Sequence, residues 1–267
     1  PCSGTQSEYG SLTETRGAGG LVTALGALAQ QHDVVWVASA MSEDDEAWAA
    51  AHKDELPEVD GTYLKLIPHD ANQYNRYYNE IANPLLWFIQ HQLWDIPRNP
   101  SIDENTWRAW HDGYLPINRA FAEAIAEVMP DDNQPVIVLP QDYHLYLVPY
   151  FLRQLIGQRA LIQPFVHIPW PGPDAWRILP AGIRDLILQG MLSADLLGFQ
   201  TRKDAFNWVQ TCRFYLSDAH SHGARDAIDY AGHRVQAHAY PISVAVDQVE
   251  TLIEDPEALF FTPQFGG

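Results

Sequence analysis

Two side chains stand out because each closes an apolar run. In the stretch VIVLPQDYHLYLVPYFLRQLIGQRALIQPFVHIPWP, residues 136–171, Val136 to Leu139 is β-branched and apolar and stops at Pro140. The cluster Asp142-Tyr143-His144 follows at once. A helical stretch comes next, with Leu145, Val148, Leu155 and Ile156 near helical spacing, and a second apolar run, Leu161 to Val166, delivers His167 before Pro169. The order strand, helix, strand is that of a βαβ unit. Parallel strands place their C-terminal ends on one edge, so Asp142 and His167 are expected to face one crevice, where open α/β sheets bind ligands. A carboxylate there can accept paired hydrogen bonds from hydroxyls, and an imidazole can bond a hydroxyl or steady developing charge. The plainer alternatives are a helix N-cap for Asp142 and a buried strand-end hydrogen bond for His167.

Two further groups have chemical potential. In RGAGGLVTALGALAQ, Gly19 and Gly20 open an Ala/Leu-rich helix, which would let a phosphate approach the backbone N–H groups at its positive end. Gly-rich turns before helices are common, so this signal is weak alone. Then ANQYNRYYNEIANPLLWFIQHQLWD sets Tyr74, Tyr77, Tyr78, Trp87 and Trp94 among Asn and Arg. Aromatics at helical spacing usually belong to a core, but flat apolar faces beside amide partners also suit a sugar ring. Trp107, Trp110 and Tyr114 continue the pattern through an expected loop.

Other segments supply the scaffold. Residues 1–16 read as loop, Val34 to Ala38 and Thr62 to Ile67 as strands, and the stretch after Ser42 as a capped helix. Pro116 to Val128 is an amphipathic helix. WPGPDAWRILP should cross irregularly, RDLILQGML is a short helix, and ADLLGF is the expected final buried strand. Thr201 caps a further helix, and Ala227 to Val246 reads as a β-ribbon turning near Gly232. Alternating β and α elements imply a doubly wound, Rossmann-like parallel sheet. The Gly-rich turn at Gly19 lacks an upstream strand, so a first strand is expected before Pro1.

Composition limits the partners. The 267 residues include 16 Lys and Arg against 34 Asp and Glu, a formal charge of −18, which opposes binding to nucleic acid or an anionic membrane. The 46% apolar and 12% aromatic content is that of a folded domain. Cys2 and Cys212 have no metal or disulfide spacing and read as free thiols in a reducing, cytoplasmic setting. No metal cluster or cofactor motif is visible, and a homo-oligomer is left open.

The motifs GAGGLVTAL, RYYNEIANPLLW, WHDGYLPIN, QDYHLYLVP, FVHIPWP, ADLLGFQT and AYPISV, taken in order, resemble the trehalose-6-phosphate synthase family of retaining glycosyltransferases across residues 17–247. The resemblance implies the N-terminal half of a GT-B enzyme, with residues 1–247 as the acceptor-side domain, residues 248–267 as the start of a linker or tail, and the donor domain lying outside this chain. It implies a nucleotide-glucose donor (UDP- or GDP-glucose), glucose 6-phosphate as acceptor, retention at the anomeric carbon and no metal requirement. Gly19 and Gly20 match the loop near the donor diphosphate, and Tyr78 and Trp87 the acceptor aromatics. Asp142 matches the carboxylate on acceptor hydroxyls and His167 the histidine beside the donor sugar. Trp87 and Ile168 match the positions of anomer selectivity.

The chain departs from the pattern at two places. Ser39-Ala40-Met41 stands where typical members have Trp-Ser/Pro-Gly, and HIPWPGPDAWRILP differs from the usual HIPFP segment. These departures leave open a pseudo-glycosyltransferase that joins an aminocyclitol phosphate through nitrogen, or a sugar-phosphate-binding fragment without turnover. The Arg that grips the acceptor phosphate is expected before Pro1, and the cations on the donor diphosphate in the other domain.

Overall fold

A computed structural model of the chain describes residues 3–6, 12–15, 32–93, 101–130 and 134–242. Gly19, Gly20, Trp94 and the segment from 243 onward lie outside the described residues. The loop expected over residues 1–16 is corrected in part: β1 (Ser3–Gln6) and β2 (Leu12–Thr15) pair antiparallel, from Ser3 opposite Thr15 to Gln6 opposite Leu12.

β3 (Val35–Ser39) and β5 (Thr62–Ile67) form a parallel pair whose register sets Ser39 opposite Ile67, so both strands end together. Between them, α1 (Glu43–Ala51) starts from a capping box. Ser42 accepts from the Asp45 N–H, the Asp45 carboxylate receives the Ser42 N–H, and four acids sit in the positive first turn. β4 (Glu58–Val59) returns antiparallel to β5 through Asp60-Gly61, both at positive φ (49° and 74°), as a two-residue hairpin requires.

Two composite helices follow. In α2, an α-helical turn (Ala71–Asn75) capped by Asp70 widens into a π-helix (Arg76–Trp87) and closes as α-helix (Phe88–Gln90). In α3, Glu104–Ala109 passes through a short π segment (Trp110–Tyr114) into Leu115–Glu127. The loop expected around Trp107, Trp110 and Tyr114 is therefore helix. Asp103 starts it by accepting the N–H groups of Asn105 and Thr106, and Trp110 and Tyr114 are buried against α2. The two widened segments meet at Gly113. A Cβ there would lie 2.6 Å from Arg76 Cβ and 2.7 Å from the Tyr77 nitrogen, so only glycine admits this approach.

The central βαβ unit forms as expected, with β6 (Val136–Val138), α4 (Val148–Ile156) and β7 (Ala160–Ile162), and β6 parallel to β7. Two details differ. The run Leu161 to Val166 is not one strand, because Pro164 has no N–H to give the ladder and splits it into β7 and β8 (Phe165–Val166). Leu155, counted with Val148 and Ile156 in the helical spacing, lies on the outer side of α4 and is 53% exposed. Backbone bonds carry the pairing past the break, from Gln163 N–H to Val138 O, Phe165 N–H to Pro140 O, and Asp142 N–H to Phe165 O at 2.7 Å. Asp142 is thereby tied to the strand that delivers His167.

A 3₁₀ turn (Pro173–Ile178) supplies the irregular crossing, with Trp170 and Trp176 stacked at 4.3 Å in the core. Then come α5 (Ala181–Met191), β9 (Leu196–Phe199), α6 (Arg202–Tyr215, capped by Thr201), β10 (Ala227–Tyr230) and β11 (His233–Ala239). β9 is not the last buried strand. β11 pairs parallel with it and buries Val235 and Ala237, while β10 folds back antiparallel through Ala231-Gly232. Arg153 of α4 locks this half. Its guanidinium binds Asp195 at 2.7 Å and the Ser193 carbonyl at 3.2 Å, and Asp195 also accepts the Ile162 N–H. β3 with β5, β6 with β7, and β9 with both β8 and β11 thus pair in parallel in three ladders, and α-helices link most of these strands, a Rossmann-like α/β fold.

Candidate functional site

Asp142 follows β6 with φ 65° and ψ −175°, a backbone region that residues with a side chain occupy only under strain of about 1–3 kcal/mol. The strain is held by bonds on both sides. Its N–H bonds the Phe165 carbonyl, and its Oδ1 accepts the His167 N–H at 3.1 Å. Burial pushes its carboxyl up to about 6, against the pull of the His167, Tyr143 and Ile168 N–H groups and of nearby His91. It stands at the N-cap position of the 3₁₀ turn Tyr143–Leu145, as considered from sequence, but its side chain makes no capping hydrogen bond there.

His167 is half-buried on Phe165, ring centroids 4.6 Å apart, and burial lowers its pKa, so the ring is neutral. Gln141 sets its tautomer. The Gln141 amide nitrogen donates to the Leu139 carbonyl at 2.7 Å, so its oxygen faces His167 Nε2 at 2.9 Å and accepts a hydrogen bond from the Nε2–H. Nδ1 is left as an acceptor for a hydroxyl. Ile168 follows directly and packs half-buried on the core.

The π-helix of α2 brings the aromatic residues to this place. Tyr78 stacks on His144 at 5.4 Å and 13° and on Tyr74 at 5.8 Å and 13°. Trp87 packs on His91 at 4.1 Å, and His91 acts on the Asp142 charge. Tyr143 donates to Asn83 of α2 at 2.8 Å. Asp142, His167, Ile168, Tyr78 and Trp87, taken from distant parts of the sequence, therefore lie around one edge of the sheet. Gly19 and Gly20 fall outside the described residues and are not placed.

Several supports gave little signal in the sequence. Asn118 of α3 is fully buried. Its amide donates to the carbonyls of Tyr114 and His144, and its oxygen accepts the Leu147 N–H, all at 3.0 Å. The Tyr114 hydroxyl donates to the Tyr143 carbonyl at 2.6 Å. These bonds clamp the backbone of residues 143–147 under the site. Asn118→Leu keeps the volume but strands those groups, and is expected to lower unfolding free energy by about 2–4 kcal/mol in urea titrations. Gln141 could have been suspected beside Asp142, whereas His91 and Asn118 are long-range contacts without a local motif.

Among the described residues no group of three or more His, Cys, Asp or Glu side chains could hold a metal ion. None of their helices is long and apolar enough to cross a membrane.

Residues 3–259 match the model of glycosyltransferase family 20. A validamine 7-phosphate valienyltransferase of Streptomyces hygroscopicus subsp. jinggangensis is 34% identical over 216 residues, covering 79% of this chain and 42% of that protein. A UDP-forming α,α-trehalose-phosphate synthase of Candida albicans is 32% identical over 244 residues, covering 90% and 48%. The solved N-terminal domain of Candida albicans trehalose-6-phosphate phosphatase superposes with a TM-score of 0.74 at 26% identity, over 91% of this chain and 48% of that one. The chain spans less than half the length of these relatives. It belongs to glycosyltransferase family 20 and corresponds to the N-terminal half of a trehalose-6-phosphate synthase-type protein.

Proposed function

We propose that this chain is the acceptor-binding half of a retaining glycosyltransferase that moves glucose from UDP- or GDP-glucose to glucose 6-phosphate, forming trehalose 6-phosphate. The observation that carries this reading is Asp142. Its carboxylate is held at the sheet edge by a strained backbone, beside neutral His167 and two residues before His144, on which Tyr78 stacks. Such strain persists where the surrounding structure fixes it and is concentrated at functional sites.

In this reading Asp142 accepts hydrogen bonds from acceptor hydroxyls, and Tyr78 and Trp87 line the acceptor side of the site. His167 offers Nδ1 to a hydroxyl of the donor sugar, and Ile168 with Trp87 shapes the space that fixes the anomer. The bond between the sugar C1 and the diphosphate oxygen breaks as C1 bonds the acceptor oxygen on the same face. The acceptor proton goes to the departing diphosphate, so the chain positions reactants and supplies no nucleophile. Gly19 and Gly20 would bind the donor diphosphate through backbone N–H groups. No metal is needed, because cationic groups of the donor half complete that site. Residues 1–247 form the acceptor domain, residues 248–267 lead toward the donor domain, and the enzyme works in the cytoplasm.

A second reading is coupling to an aminocyclitol phosphate, favoured by the similarity to the valienyltransferase and by Ser39 in place of the usual Trp-containing segment. A screen on the full-length protein decides between them. Nucleotide-glucose donors are paired with glucose 6-phosphate, glycerol 3-phosphate and aminocyclitol phosphates, and products are read by mass spectrometry. Trehalose 6-phosphate as main product is expected. Coupling only to another acceptor overturns the leading reading, and binding without any product leaves a sugar-phosphate-binding protein. The 267-residue chain alone, lacking the donor half, is expected to be inactive in the same assay.

A further inference from the structure

The chain of bonds from Leu139 through Gln141 to His167 decides more than a tautomer. Gln141 is half-buried, and its amide could face either way. Reversed, its oxygen would meet the Leu139 carbonyl at 2.7 Å, two acceptors with no hydrogen between them, and its NH₂ would face His167 Nε2. A carbonyl only accepts, so Leu139 settles the amide, and the amide settles the imidazole.

The ring is also held in place. Gln141 is bridged to Phe165 between parallel backbones, and the His167 ring packs on the Phe165 ring at 45°. Phe165 in turn stands opposite Gly198 of β9, where a Cβ would meet its ring at 2.6 Å, so the bare glycine forms its seat. With Nε2 on Gln141 and the backbone N–H on Asp142, Nδ1 is the ring nitrogen left without a partner among the described residues. Unlike His144 Nε2, which is buried and unpaired, it is not shut away from solvent.

We propose that Gln141 is a positioning residue that fixes the direction of the hydrogen bond between His167 and the donor sugar: the sugar hydroxyl donates and Nδ1 accepts. This inference rests on the reading of His167 as the histidine beside the donor. At that position of the sugar the protein then selects a group able to give a hydrogen, and it refuses an isosteric group that only accepts. The opposite tautomer would make no such choice, because its Nδ1–H could donate to a hydroxyl and to a fluorine alike.

The test uses the full-length protein with nitrogen-15-labelled histidine, the His167 signals being assigned by their loss in His167→Asn. Wild type is expected to show one neutral tautomer, with its hydrogen on Nε2. Gln141→Met, which keeps the length but offers no amide, is expected to show both tautomers in exchange. A wild-type ring with its hydrogen on Nδ1, or an unchanged single tautomer in folded Gln141→Met, overturns the inference and leaves the proposed function standing. Calorimetry then compares the binding of UDP- or GDP-glucose with that of its 3-, 4- and 6-deoxy and deoxyfluoro analogues. At one position both analogues are expected to bind wild type about tenfold more weakly, the loss of one hydrogen bond. In Gln141→Met the parent donor is expected to lose most of that factor, and the fluoro analogue little further. A Gln141 that only supports the fold would weaken all donors equally and keep the gap, which overturns the inference, as does wild-type tolerance of fluorine where the deoxy analogue fails. Failure of every nucleotide-glucose to bind overturns the proposed function and this donor contact together.

Discussion

Asp142→Asn is expected to make the protein harder to unfold at neutral pH and, in the full-length enzyme, at least about tenfold slower in kcat/KM for the acceptor. Both effects come from the same carboxylate. Burial raises it from 3.8 to about 6, so the folded chain binds this proton more tightly than the unfolded chain does. The stability that the group contributes therefore falls as pH rises from about 4 to about 6, and it stays lost above that range. The amide keeps an oxygen for the His167 N–H and has no charge to bury, while the backbone strain at φ 65° and ψ −175° stays as it is. The gain is expected to be about 1–3 kcal/mol at pH 7.5 in urea titrations and to shrink toward zero at pH 4. Activity runs the other way. Wild-type kcat/KM should rise through an acid limb near pH 6 as the acceptor-binding carboxylate forms, and the variant should lack that limb. A variant of wild-type activity would remove Asp142 from the proposed site.

Gly113→Ala has the largest expected effect on folding. The new methyl would meet Arg76 Cβ, the Tyr77 nitrogen and the Arg76 carbonyl carbon at 2.6 to 2.9 Å. Two of those atoms are backbone and cannot rotate away, so the widened segments of α2 and α3 must separate. A loss of about 3 kcal/mol or more is expected, which for a chain of this size lowers Tm by about 6–12 °C. Since α2 also carries Tyr78 and Trp87, whatever folded protein remains should bind the acceptor more weakly. Gly172→Ala is the control, since a Cβ there meets nothing within 4 Å and its φ is −62°. Calorimetry that found the two variants alike would mean that the helices do not meet at Gly113 in solution.

The parts of the fold that were readable in the sequence are those decided within a few residues. Ser42 and Thr201 cap helices because each places a hydroxyl next to its own N3 N–H, and Thr62–Ile67 is a strand because it alternates. Misreadings occur where a distant partner decides. Trp107 to Tyr114 looked like loop for its Gly and aromatics, but Asp103 starts a helix that Tyr77 and Ile81 of α2 allow to be buried. Leu155 shares the helical spacing of Val148 and Ile156 but is exposed. Pro164 splits the run Leu161 to Val166 because it has no N–H to give a ladder. At the site, Asp142 and His167 could be found because each ends an apolar run. The strain at Asp142, the tautomer imposed by Gln141 and the clamp by Asn118 depend on bonds between residues 25 to 29 apart in sequence, or on a backbone angle that no local pattern encodes.

The backbone angle of Asp142 also has a consequence for how this protein can drift in a population. Gly is at ease at this φ and ψ and Asn has no charge to bury, and each is one nucleotide away from either aspartate codon. Gly would relax the loop and Asn would discharge the buried carboxyl, so random mutation has two short routes to a more robust but idle protein. A lineage that kept Asp142 after its acceptor chemistry had fallen out of use would be holding an unfavourable residue against easy loss. Reading this codon across descendants of the chain would therefore date when each one stopped, or did not stop, transferring.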